Sequence, residues 1–334
     1  MRFLRLDFEG VSLNNMFQFV NWLKAFATIF ITNSHYGAIW PISAMAVGGH
    51  LGNCLFFMVS GFCMYNIREA FPRWYLKRFL RIYPALWIVA TVDFLVGRNS
   101  AHGIMAYVHC YLFPTWYHFI TSIMLLYIGF YVVRFIQKKL QIGTEWFIGA
   151  LFAVFMVMYL TVYDRSYYHI DDVLENWVRF QFFASMLVGI LLREKYEKIS
   201  DKLSVWNILR VMALMAAYFI VKVVIGRRGM FPVYQCALPI LQVLLVADLG
   251  LLAVKLEKRK FFDRAPGWLN RGAAFLSGIT LEIYLGQLLI FWLFQDLPFP
   301  IDFVLVTPLI IAYAWIVHKC ASWCSSKAIK LLKL

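Results

Sequence analysis

The sequence predicts an all-α polytopic membrane protein, a bundle of about ten transmembrane helices with both termini on the cytoplasmic side. Three observations carry this. Of the 334 residues, 62% are hydrophobic and 15% are charged, and the mean hydropathy of +0.69 lies well outside the range of soluble domains. Apolar runs of about 17–23 residues, the length a helix needs to cross a bilayer, recur along the whole chain. The connections between them alternate in Lys and Arg content, which orients successive spans.

In chain order the spans are expected at 16–33, 50–68, 82–96, 118–136, 146–162, 179–193, 207–225, 233–255, 273–295 and 301–323. No connection is long enough for a soluble domain, so residues 1–334 are expected to form a single integral-membrane domain. The stretch MRFLRLDFEG lacks the layout of a cleavable signal, and the first span is expected to stay in the mature protein. An even number of spans puts both termini on one side. Loop 68–82 holds Arg68, Arg73, Lys77, Arg78 and Arg81; loop 134–144 holds Arg134, Lys138 and Lys139; loop 193–205 holds Arg193, Lys195, Lys198 and Lys202. With loop 255–272 and the tail carrying Lys319, Lys327, Lys330 and Lys333, these are expected to face the cytoplasm. Loop 163–178 sets Asp164, Asp171, Asp172 and Glu175 against Arg165 and faces outward, while Arg227 and Arg228 in loop 226–232 break the alternation. The sequence shows neither an internal repeat nor paired broken helices in corresponding halves, features of many secondary transporters.

The net charge of +14 does not point to nucleic acid, because the basic residues lie in short inter-span loops where membrane orientation accounts for them. The six cysteines show no metal-ligand spacing and read as small core residues. No clustered His, Asp or Glu spacing suggests a metal.

Ionisable side chains within spans cost about 2.5–3.5 kcal/mol at a helix centre, so each asks for a partner or a task. Lys24, His35, Asp93, Lys222, Asp248 and Glu282 are such residues. Lys222 can snorkel to the outer interface and Asp93 lies near the end of its span, which suits structural roles. Lys24 and His35 have ten residues between them. Eleven steps make three turns plus about 20°, so the two share one helix face about 16 Å apart along the axis. A snorkelling lysine and an interfacial histidine are the alternative for this pair. Gly48, Gly49 and Gly52 precede FFMVSG at 56–61, where small residues let helices approach. Arg78 and Arg81 are three apart on one helical face, ahead of a bend expected at Pro84. Such a pair suits membrane orientation, lipid phosphates or a phosphorylated cofactor.

In this order, Lys24 with His35, FFMVSG at 56–61 and RFLR at 78–81 resemble the acyltransferase family 3 membrane proteins. PTWYHFITSIMLLY at 114–127 and LSGITLEIYLGQLLIF at 276–291 are similar to the later helices of that family. Two positions depart from its pattern: Lys24 stands where arginine is commoner, and Gln287 where many relatives have histidine. The resemblance implies acyl-CoA, most simply acetyl-CoA, as donor, and a hydroxyl of an extracytoplasmic or lipid-linked carbohydrate as acceptor, in a bacterial inner membrane. Under this reading His35 is the expected general base, or a transient acyl carrier. Lys24 steadies the anionic part of the donor, and Arg78 and Arg81 meet its phosphates at the cytoplasmic mouth. Glu282 is expected as a buried carboxylate in the catalytic group, with Ser60, Tyr127 and Gln287 as positioning residues. The expected partners are acyl-CoA, the glycan or glycolipid acceptor and the lipid bilayer. An exporter of a lipid-linked sugar or small molecule, using the same charges as a path, is the rival reading.

Overall fold

The computed structural model describes residues 17–99, 103–115, 117–294 and 297–334, and these contain helices and no strand. Residues 1–10, the stretch read for a signal, lie outside the described residues. The helices are α1 (Gln18–Ser34), α2 (Gly49–Cys63), α3 (Phe71–Leu95), α4 (Ile104–Tyr111), α5 (His118–Leu140), α6 (Thr144–Thr161), α7 (Trp177–Glu194), α8 (Val205–Val221), α9 (Ala237–Lys258), α10 (Gly267–Gly278), α11 (Thr280–Leu293) and α12 (Ile301–Leu331). A wide turn, Lys222–Arg227, prolongs α8.

Each of the ten expected spans overlaps a helix. By length and composition, six segments can cross a membrane: α2 with the turn before it, α5, α6, α8 with its wide turn, α9 with the turn before it, and α12. The bent pair α10 and α11 can make a seventh. The other helices fall short for visible reasons. α1 has 17 residues; α7 ends in Arg193 and Glu194 and carries Arg179 near its start. α3 carries Arg73, Lys77, Arg78 and Arg81 in its first half.

The centre of the bundle is α2, packed chiefly on α7 and α1. Its glycines make this possible. A Cβ on Gly61 would lie 2.0 Å from the Met186 carbonyl oxygen, and one on Gly189 would lie 1.9 Å from that of Met58. Only glycine lets the two backbones touch there, so the glycine of FFMVSG has a packing role.

Two sequence expectations change. The connection expected over 68–82 is mostly helix: α3 starts at Phe71 with Pro72 in its first turn, and Arg78 and Arg81 share a helix, as their spacing of three requires. Proline suits that position because its missing N–H would be unpaired there anyway. Pro84 lies inside α3 without ending it. A helical proline frees the carbonyl four residues earlier, here that of Leu80, and the Ser325 hydroxyl of α12 donates to it at 2.7 Å. The expected span 273–295 is the second change: the chain bends by 74° between α10 and α11, around Ile279.

Candidate active site

Several of the costly ionisable groups find partners close by. Asp93 accepts hydrogen bonds from Arg98 at 2.5 Å and Tyr117 at 2.7 Å. Asp248 of α9 pairs with Arg210 of α8. Lys222, expected to snorkel, pairs instead with Asp171 in the connection between α6 and α7. Lys24 and Glu282 behave differently, and they meet at the break between α10 and α11.

The Lys24 ammonium donates to the Ser277 carbonyl at 2.6 Å. A cation suits the C-terminal end of α10, where the helix dipole is negative and carbonyls lack intrahelical donors. One turn further along α1, the hydroxyls of Thr28 and Thr280 meet at 3.0 Å, and the Thr280 hydroxyl also reaches the Leu276 carbonyl at 3.0 Å. The broken helix is thus held by α1, and its freed carbonyls are satisfied inside the bundle.

Glu282 lies in the first turn of α11 and is 6% exposed. Its Oε1 accepts from His318 Nδ1 of α12 at 2.9 Å, and the Ser322 hydroxyl lies 3.4 Å from His318 Nε2. Glu282 Oε2 is buried without a hydrogen-bond partner. Lys24, Arg81 and Glu282 are electrostatic neighbours, as are Arg81, Arg78 and Tyr127. Cys63, at the end of α2, lies within electrostatic range of Lys24, Arg78, Arg81 and Arg193. Arg78 sits over the Trp74 ring at 5.4 Å, with its Nε buried and unpartnered. Cys63 and Arg81 both keep accessible surface. Among the described residues, no group of three His, Cys, Asp or Glu side chains is placed to hold a metal ion.

The structure therefore brings together Lys24, Arg78, Arg81, Tyr127 and Glu282 from α1, α3, α5 and α11. Ser60 lies in the last turn of α2, half-buried, three residues before Cys63. His35 stands apart. It follows the last residue of α1, is exposed, and its ring lies 6.3 Å from that of Phe291 near the far end of α11. Gln287 lies between these levels, fully buried, with neither amide atom bonded.

Sequence reasoning missed His318 and Cys63. The rule that singled out Glu282 also applies to a histidine within the expected span 301–323, so His318 carried a usable signal. Cys63 carried none, because its cationic neighbours come from α1, α3 and α7. No curated protein and no solved structure matches the chain. The model of the acyltransferase domain family matches residues 17–319, which contain every side chain of this cluster, and the chain belongs to acyltransferase family 3.

Proposed function

We propose that the protein transfers an acyl group, acetyl in the simplest case, from acyl-CoA on the cytoplasmic side of a bacterial inner membrane to a hydroxyl of an extracytoplasmic or lipid-linked carbohydrate. The topology in this reading is ten crossings with both termini cytoplasmic. One observation carries the donor half: Lys24, Arg78 and Arg81 converge from α1 and α3 on one cluster. Three concentrated cations suit a ligand with several phosphates, and guanidinium groups pair with phosphate through charge-assisted hydrogen bonds.

The acyl group then has to reach His35. The rise along α1 puts it about 16 Å beyond Lys24, comparable with an extended pantetheine arm. A neutral His35 takes the proton of the acceptor hydroxyl as its oxygen attacks the thioester carbonyl; the C–O bond forms, the C–S bond breaks, and CoA leaves as thiolate, which is protonated from solvent. Glu282, tied to His318, balances the surrounding positive charge and contributes to positioning the donor.

The exporter reading gains one feature from the structure, since a helix broken within the membrane is common in transporters. The two readings separate in sealed, oriented vesicles. Acetyl-CoA supplied to the face bearing Arg68 and Arg73 should acetylate a glycan acceptor confined to the other face, because CoA is too charged to cross unaided. Export of an unmodified sugar without acetyl transfer would establish the rival, and transfer only between a donor and an acceptor on one face would refute the cross-membrane path.

A further inference from the structure

The seam between α1 and the broken helix α10–α11 is a ladder of contacts with one rung unlike the others. Lys24 meets Ser277 at 2.6 Å and Thr28 meets Thr280 at 3.0 Å. At the far end the His35 and Phe291 rings lie 6.3 Å apart. Residue numbers across these contacts differ by 252 to 256, so Thr32, one turn beyond Thr28, faces the turn 284–288 of α11, which holds Gln287. Thr32 Oγ1 and both amide atoms of Gln287 are buried, and no protein group bonds any of them. Gln287 has no exposed surface at all.

Leaving a buried polar atom unpaired is costly, and this level leaves three. Their chemistry restricts what can satisfy them. A glutamine side chain offers N–H donors and a carbonyl acceptor in one plane, and the threonine hydroxyl can do either. The complementary group is one that accepts and donates side by side, which is an amide.

We propose that Gln287, with Thr32, is the binding site for the pantetheine amide nearest the thioester of the acyl-CoA donor. This inference rests on the acyl-CoA reading above and adds the group that sets the donor's depth. The lengths agree. From the nitrogen of that amide to the thioester carbon is about 5 Å in an extended chain. From Thr32 to His35 the rise is about 4.5 Å. An amide paired at Gln287 therefore delivers the thioester carbonyl to the level of His35, while the phosphates stay with Arg78 and Arg81.

The test measures binding to the purified full-length protein in detergent with three probes. They are acetyl-CoA, its analogue in which the amide nearest the thioester is an ester, and adenosine 3′-phosphate 5′-diphosphate, which lacks the arm. Wild type should prefer the amide donor about tenfold, and Gln287→Met should bind acetyl-CoA about tenfold more weakly with a preference below about twofold. Thr32→Val should show the same trend to a smaller degree. The nucleotide probe should bind wild type and both variants equally, which shows that the cationic cluster is intact.

Acetyl-CoA affinity in Gln287→Met within about twofold of wild type, or an undiminished preference for the amide, overturns the proposal; an ordered water at this rung gives that result. If Gln287→Met also loses the nucleotide, wild type decides alone, and equal affinity for the amide and ester donors overturns the proposal. Failure of wild type to bind both acetyl-CoA and the nucleotide overturns the donor reading itself, and this inference with it.

Discussion

Replacing Lys24 by methionine keeps the length of the side chain and removes the ammonium. The structure assigns that ammonium a hydrogen bond of 2.6 Å to the Ser277 carbonyl at the end of α10. It also places the charge beside Glu282 and Cys63. A hydrogen bond to a charged donor is worth about 1.5–3 kcal/mol, and one of the three ammonium hydrogens is spent on Ser277. The proposed second task, holding the anionic donor, falls to the others. Loss of one such contact in the transition state lowers kcat/KM by roughly 10–150-fold. Lys24→Arg keeps the charge and more than enough donors, and should stay within about tenfold of wild type. Lys24→Glu should be worse than Lys24→Met, because it turns a second carboxylate on Glu282 and on the Ser277 carbonyl. The assay is initial-rate acetyl transfer in oriented vesicles at varied acetyl-CoA, with each variant's thermal unfolding measured alongside. Lys24→Met retaining more than about half of wild-type kcat/KM, or Lys24→Glu matching Lys24→Met, would refute the reasoning.

His35→Ala should abolish transfer while leaving the unfolding temperature nearly unchanged, because the side chain is exposed beyond the end of α1; activity above about a tenth of wild type removes it from the base role. Replacing Arg78 and Arg81 together by alanine should raise KM for acyl-CoA more than it lowers kcat, since contacts to a remote phosphate supply binding; an unchanged KM sends both arginines back to orienting the protein. His318→Phe should lower kcat/KM about tenfold by freeing Glu282, whereas His318→Gln, which still offers an N–H, should recover most of it; equal effects of the two variants exclude the hydrogen bond as the cause. In the connection between α6 and α7, burial works to raise the pKa of Asp171, but Lys222, His50 and Tyr168 outweigh it and hold the carboxyl below its ordinary range. Its contribution to stability is therefore complete above about pH 4 and lost as pH falls through the lower folded-state value. The stability gap between wild type and Asp171→Asn should close on acidification, and a constant gap from pH 6 down to about pH 2 would refute the assignment.

Most of the helices were legible because a long apolar run codes them locally, and the membrane class follows from that alone; α4, only eight residues long, was not. Nor was the break between α10 and α11. Residues 273–295 remain apolar across it, and the groups that stabilise it are Lys24 and Thr28, about 250 residues away in sequence. The start of α3 was missed for a different reason. Four cations within nine residues read as part of a connection, although Pro72 marks a helix N-terminus there. Of the site, Lys24 and Glu282 were legible because a buried charge is costly wherever it stands. His318 obeys the same rule, and the carboxylate beside it is its partner. Cys63 gains its setting only when other helices bring their cations to it.

The contacts at the helix break bear on which kind of machine this fold suits. In a transporter with a broken helix, the exposed helix ends serve the cargo and must be released as access alternates. Here the C-terminal end of α10 is engaged by Lys24, and Thr28 joins the first residue of α11. Opening the seam between α1 and α11 would strand an ammonium and two hydroxyls within the bilayer, at several kcal/mol. A transfer enzyme of the kind proposed has the opposite requirement, because a fixed spacing from the cationic cluster to His35 delivers the thioester only if the Lys24 and Thr28 contacts stay closed. Under the proposed function Lys24 has a structural and a functional task through the same charge. It closes the first rung of the ladder, and in the proposed reaction it keeps a cation at the depth where a donor's anionic end has to stop.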